Sequence, residues 1–151
     1  QLILNKPGHN FIKERMREEK DIVFAGENSG HYFFKDYFFS DNGLVPFLMF
    51  LEILNQTDEK ISELFDDLRQ KFFLSGEINQ EVKDKDQVIK DAEEKYSDGK
   101  IDHIDGVTVE YDDWRFNLRK SNTEPLVRLN IEAKTQELVD EKVEELMALI
   151  K

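Results

Sequence analysis

The chain has 151 residues, 39% hydrophobic and 36% charged, which is enough apolar mass to bury a core in one domain or two small ones. Its formal net charge of -12 argues against a broad nucleic-acid surface and against anionic membranes, since both need an excess of Lys and Arg on one face. The absence of cysteine removes disulfides, thiolate metal sites and cysteine nucleophiles, and fits a reducing, cytoplasmic setting.

Leu2 to Leu4 reads as a strand met in its middle, so the sequence is expected to be a piece of a longer one. Pro7-Gly8 is a turn, and Phe11, Ile12 and Met16 fall at helical spacing within a helix from about Asn10 to Lys20. Ile22 to Ala25 suits a buried strand of a parallel or mixed sheet. Gly26 to His31 is a loop, and Tyr32 to Phe39 reads as an aromatic strand buried on both faces; so little basic charge accompanies it that base stacking is the weaker explanation. Asp41 and Asn42 can cap a helix over Leu44 to Leu54, apolar on most sides and therefore expected to be buried, with Pro46 in its first turn. A further helix is expected from Asp58 to about Lys71, with Ile61, Leu64, Phe65 and Leu68 as its core stripe.

Ser75-Gly76 marks a boundary between a first domain, residues 1–74, and a second, residues 75–151. Residues 1–71 carry nine basic and thirteen acidic side chains and residues 77–151 carry twelve and twenty, so both parts are acidic. The second part reads as a strand (Glu77 to Val82), a helix (Asp84 to Tyr96, buried through Val88, Ile89 and Ala92) and three strands (Gly106 to Tyr111, Trp114 to Arg119, Leu126 to Glu132). A last helix, Gln136 to Ile150, is capped by Thr135 and buried through Val139, Val143, Leu146 and Ile150. The fold class is therefore α/β followed by α+β, the latter a sheet with both helices on one face.

Two loops carry chemistry. Arg119-Lys120-Ser121-Asn122-Thr123-Glu124-Pro125-Leu126-Val127-Arg128 gathers guanidinium forks and short donors of the kind that grip a phosphate. Turn formation alone accounts for Ser121, Asn122 and Thr123, but not for the convergence of Arg119, Lys120 and Arg128. If the register sets Arg119 near Arg128, the like charges repel unless an anion joins them. In Gly26-Glu27-Asn28-Ser29-Gly30-His31, Glu27, Asn28 and Ser29 suit sugar hydroxyls, and His31 can move a proton near neutral pH; a Gly-rich turn capping its own backbone is the alternative. His9 stands at a helix start, where it can assist anion binding or simply face solvent. Asp98, Asp102 and Asp105 lack the order of a calcium loop and read as turn residues.

The two loops together, in this order and about ninety residues apart, closely resemble the C-terminal part of the α-D-phosphohexomutases, the phosphomannomutase/phosphoglucomutase group. The resemblance spans essentially the whole chain. It implies that the first part is the latter portion of that family's third domain, an α/β/α unit, and that the second is its fourth domain, similar to the TATA-binding-protein architecture. It further implies that Glu27 and Ser29 hold sugar hydroxyls, with His31 and His9 beside the substrate. Arg119, Ser121, Asn122 and Thr123 would grip the phosphate that is not transferred, supported by Arg128. The implied reaction interconverts hexose 6-phosphate and hexose 1-phosphate through a phosphoserine and a hexose 1,6-bisphosphate intermediate, with Mg2+.

Neither a phosphoserine loop nor an Asp-Gly-Asp-type magnesium loop is found in these residues, so the missing N-terminal domains of the same enzyme are expected partners and the chain alone is expected to be inactive. Asn122 and Asn28 stand where phosphoglucosamine mutases usually carry Gly and Gln, which favours the mannose/glucose branch over that one. A non-enzymatic sugar-phosphate-binding module is the rival reading; a domain 4 that binds nucleic acid is disfavoured by its charge.

Overall fold

The computed structural model describes residues 2–121 and 123–151, which divide between Leu64 and Phe65 into two compact units. In chain order the first unit contains α1 (His9–Glu18), β1 (Phe24–Gly26), β2 (Tyr32–Phe34), β3 (Ser40–Asp41) and α2 (Leu44–Asn55). The second contains α3 (Asp66–Arg69), β4 (Phe73–Leu74), β5 (Ile78–Glu81), α4 (Lys85–Lys95), β6 (Lys100–Asp102), β7 (Val107–Glu110), β8 (Trp114–Lys120), β9 (Leu126–Ala133) and α5 (Gln136–Ile150). The chain is thus mixed α/β in both parts.

In the second unit strict alternation does most of the work. Phe116 and Leu118 on β8 and Val127, Leu129, Ile131 and Ala133 on β9 are buried, as are Val107 and Val109 on β7. All of these but Ala133 form one core with Ala92 of α4, Tyr96 at its C-terminal end, and Leu146 and Ile150 of α5. Each fully buried large side chain stabilises by about 1.5–3 kcal/mol. The antiparallel order is β4-β9-β8-β7-β6, with β5 pairing β9 further along the same edge. Both long helices start on side-chain caps: Asp84 Oδ1 accepts the Asp86 and Gln87 amides at 3.0 Å, and Thr135 Oγ1 accepts the Leu138 amide at 3.2 Å. The helices are joined by Glu145, which lies 3.0 Å from Lys95 and 2.8 Å from Lys142. The hydrogen bond from Lys142, then that from Lys95, holds the Glu145 carboxyl down at about 2.

The first unit departs more from expectation. Leu2 to Leu4 is not a strand; its backbone is held by Arg15, which donates to the Leu4 carbonyl at 3.0 Å and to Asn5 Oδ1 at 3.3 Å. Ile12 and Met16 of α1 are buried with Phe33, whereas Phe11 is exposed beneath the Lys6 ammonium, 4.9 Å from its ring centroid. The first strand begins at Phe24 and pairs antiparallel with β2. The aromatic run is not one buried strand. Phe38 and Phe39 take φ of 58° and 55°, the Phe39 amide donates to the Phe34 carbonyl at 3.0 Å, and the chain turns back so that β3 pairs β2. Only Phe33 of the run is fully buried, and Phe38 is 81% exposed.

Asn42 alone caps α2, its Oδ1 accepting the Leu44 and Val45 amides at 2.8 and 3.0 Å. Contrary to expectation α2 buries no residue: Leu44, Phe47, Leu48, Met49, Leu51 and Ile53 are exposed, because the small core of Ile12, Met16 and Phe33 does not extend to it. The helix expected over Asp58 to Lys71 shrinks to α3. Local bonds from the Glu59 amide to Thr57 Oγ1 and from the Lys60 amide to Glu63 Oε2, both 3.1 Å, favour turns before it. Strand β6 is an addition, too polar at Lys100 and Asp102 to read as a strand but paired in register with β7.

Gly106, at φ +70°, is the tightest point behind the second loop. A Cβ there would stand 2.4 Å from the Leu118 carbonyl oxygen and 2.7 Å from Arg119 Cα, both backbone atoms that cannot swing aside. Gly106→Ala is expected to destabilise the second unit by about 2–4 kcal/mol, read from chemical denaturation; a loss below the error of that measurement would contradict the close approach.

Candidate functional site

The first cluster forms because β2 reverses onto both its neighbours. The Glu27 amide donates to the His31 carbonyl at 3.0 Å and the Gly30 amide to the Glu27 carbonyl at 2.9 Å, closing the loop over Gly30 at φ +84°. Glu27 Oε1 accepts the Gly8 amide at 2.8 Å, so the carboxylate pins the start of α1, and His9 with it, beside this loop. Ser29 and Asn28 are exposed at its tip. His31 is half-exposed, and its Nδ1 lies 2.6 Å from Asp41 Oδ2. Asp41 Oδ1 accepts the Tyr32 amide at 3.1 Å, which fixes the carboxylate against the imidazole. The hydrogen bond to Asp41, followed by its charge, raises the His31 pKa above the ordinary value. The same bond to His31 lowers Asp41. With Nδ1 engaged, Nε2 is the nitrogen left to meet a ligand.

Asp41 was legible in sequence only as a cap for α2. It serves instead as the partner of His31, brought there by the turn at Phe38 and Phe39 that ends the aromatic run and starts the return strand β3.

The second cluster is set by register. Arg119 and Arg128 are direct partners across β8 and β9, on the face opposite the apolar core. Along the same face Arg115 opposes Glu132, with Nε to Oε2 at 3.4 Å, and Asn117 opposes Asn130. The cations are not free. Glu77 places Oε2 2.9 Å from Arg119 Nη2 and Oε1 3.2 Å from Arg128 Nη1. Asp105 lies 3.8 Å from Arg119 Nε, Glu124 lies 3.5 Å from Arg128 Nη2, and Lys120 Nζ lies 2.6 Å from Asp86. What reads in sequence as a cationic island is a set of ion pairs.

The rest of the loop is distributed differently. Ser121 is 4% exposed; its amide donates to the Leu126 carbonyl at 3.0 Å and its Oγ accepts the Glu124 amide at 3.2 Å. Lys85 fastens the loop by donating to the Ser121 and Glu124 carbonyls at 2.9 and 3.1 Å. Thr123 is exposed and lines an open groove of about 430 Å³ with Lys83, Lys85 and Pro125. Asn122 lies outside the described residues. The structure therefore brings Arg119 and Arg128 together, turns Ser121 inward to shape the loop, and sets Thr123 on a neighbouring surface. Glu77, Asp41 and Lys85 are the participants that spacing alone did not reveal. Of the aspartates read as turn formers, Asp98 accepts the Tyr111 hydroxyl at 2.6 Å and Asp102 the Ile104 amide at 2.8 Å.

Comparison with known proteins matches both parts. The family model described as phosphoglucomutase/phosphomannomutase, alpha/beta/alpha domain III, matches residues 1–72. The model described as phosphoglucomutase/phosphomannomutase, C-terminal domain, matches residues 77–149. A phosphomannomutase of Escherichia coli is 42% identical over 100% of this chain and 34% of its own length. One of Vibrio cholerae is 44% identical over 99% and 33%, and one of Methanocaldococcus jannaschii 39% over 98% and 32%. A crystal structure of a phosphoglucomutase/phosphomannomutase family protein from Burkholderia thailandensis superposes with a TM-score of 0.79 at 34% identity, over 99% of this chain and 32% of that one. The chain spans about a third of the length of these relatives.

The His31–Asp41 pair is testable by titration. Because the folded His31 pKa is raised, the pair's stabilisation is complete below 6.5 and is lost as pH rises through the folded value; because that of Asp41 is lowered, it is present above 3.8 and lost as pH falls through the folded value. Asp41→Asn is expected to bring the His31 midpoint, followed by imidazole NMR, down toward its ordinary value. An unchanged midpoint would remove Asp41 as the cause.

Proposed function

The chain belongs to the phosphoglucomutase/phosphomannomutase family, and from that premise we propose that it supplies the sugar-recognition and phosphate-recognition parts of a phosphohexomutase. In this reading residues 1–74 are the C-terminal part of domain 3 and residues 75–151 are domain 4. The whole protein interconverts hexose 6-phosphate and hexose 1-phosphate through a phosphoserine and a bisphosphate intermediate, as the mannose/glucose branch of the family. The observation that carries the reading is the Arg119–Arg128 apposition, within a chain matched along nearly its whole length by the two family models.

Glu27 and Ser29 meet sugar hydroxyls. His31, whose pKa the bond to Asp41 raises, exchanges a proton with a ligand oxygen through Nε2. His9 stands beside the same loop through the Glu27–Gly8 bond. Arg119 and Arg128 grip the phosphate that stays in place, Thr123 and Asn122 are assigned to the same phosphate, and Ser121 gives the loop its shape. The carboxylate–arginine contacts are charge-assisted in the same way as a phosphate fork, so a phosphate displaces them through its greater charge and its additional acceptor oxygens.

Mg2+ and hexose 1,6-bisphosphate belong in this proposal to the whole protein. Among the described residues no group of three His, Cys, Asp or Glu is placed to hold a metal. No helix of the described residues is long and apolar enough to cross a membrane.

Amide-resolved NMR titration with inorganic phosphate, glucose 6-phosphate and mannose 6-phosphate is expected to shift residues 119–128 with all three ligands and residues 27–31 only with the sugars. No shifts at millimolar ligand would overturn the assignment. In the full-length protein, Arg119→Ala is expected to weaken phosphosugar binding by about 2–4 kcal/mol; unchanged affinity would contradict the grip. The chain alone is expected to show no mutase turnover in a coupled assay, and turnover by a sample free of contaminating mutase would refute the division of labour.

A further inference from the structure

Two guanidiniums facing each other across a ladder repel unless something negative lies between them. In the second unit that charge is supplied from within the chain. Glu77 follows Gly76, whose φ of +70° turns the backbone just before β5, and its carboxylate reaches both cations, one oxygen to each. We infer that Glu77 is an internal anion that holds the Arg119–Arg128 pair together while no ligand is bound, and that a phosphate monoester enters by taking over its two hydrogen bonds. The inference rests on the phosphate-binding role proposed above for the pair.

Charge is the first support. Glu77, Asp105 and Glu124 all contact the two guanidiniums, three carboxylates against two cations. A dianion cannot be added to that arrangement; it must replace part of it. Geometry says which part. Glu77 makes hydrogen bonds to both arginines, at 2.9 and 3.2 Å, while Asp105 and Glu124 each approach one arginine at 3.8 and 3.5 Å. Glu77 therefore occupies the bridging position that two oxygens of a phosphate would take, since guanidinium forks accept carboxylate and phosphate alike.

Exchangeability is the third support. The Glu77 side chain is 36% exposed, so it has solvent to move into. Arg128 Nε is buried without a partner, so the empty arrangement satisfies Arg128 incompletely. Nothing comparable holds at Arg115, whose cross-strand neighbour Glu132 already balances it. Glu77 thus acts through the arginines as a positioning residue: it keeps them apposed and sets the threshold that an entering anion must pass.

The test uses the 151-residue chain and inorganic phosphate. In the unmodified protein the Glu77 side-chain carboxyl carbon and the Arg119 and Arg128 side-chain nitrogens are expected to shift together, saturating at the same phosphate concentration. Glu77→Gln, which keeps the shape and removes the charge, is expected to lower the phosphate Kd by about three- to tenfold. Arginine shifts with a silent Glu77 carboxyl would overturn the exchange and leave the phosphate site standing. An unchanged or raised Kd in folded Glu77→Gln would do the same. Silence of all three side chains would overturn the phosphate site and this inference with it. Should Glu77→Gln fail to fold, the carboxyl titration of the unmodified protein decides.

Discussion

The pairing of Arg119 with Arg128 across β8 and β9 is the constraint from which the polar face of the second unit follows. It is imposed from the other side of the sheet. Phe116, Leu118, Val127, Leu129 and Ile131 must all point into the core beneath α4 and α5, and a slip of one residue would send every one of them outward. Burial therefore locks the register, and the register then sets two positive charges opposite each other on the exposed face. Gly106 closes beneath Arg119 where no side chain would fit, and Glu77, just before β5, supplies the missing charge. The arginine pair proposed as the phosphate grip is thereby held by packing that has no chemistry of its own.

Legibility in the sequence followed the same division. The elements of the second unit that carry period-2 or helical burial and a side-chain cap, namely α4, α5, β7, β8 and β9, stand close to where their patterns place them. Strand β6 was missed because only Ile101 of its three residues is apolar, and an edge strand pairing on one side needs no more. In the first unit, apolar content misled. Six aromatics in eight positions look like one buried strand, yet the left-handed conformations at Phe38 and Phe39 break it into a hairpin. Helix α2 has the composition of a core helix without a core in its own unit to cover it.

The candidate sites divide along a different line. The cations and hydroxyls were visible because they are consecutive or nearly so. Their counter-charges were not, because Glu77 lies 42 residues from Arg119 and 51 from Arg128, and no local pattern links them. Asp41 stands ten residues from His31, but only the unforeseen turn brings it there. Local spacing reports which chemistry is present. Long-range pairing decides the charge state in which that chemistry is held.

For an acidic chain, the phosphate binding proposed above meets a conflict of scale. The chain's net charge of -12 repels a phosphate at long range, while salt limits that repulsion to about 8 Å under physiological conditions. Inside that distance only the nearest groups matter, and here each cluster already carries a carboxylate: Asp41 on His31, Glu77 on the arginine pair. A site balanced in this way does not collect counter-ions indiscriminately, because an entering ligand must outcompete a built-in one. Weak or singly charged anions offer the forks little more than Glu77 does. A phosphate monoester offers more charge and more acceptor oxygens in the same bridging position. Under the exchange argued for Glu77, the carboxylate that bridges the two arginines is also what makes the position selective.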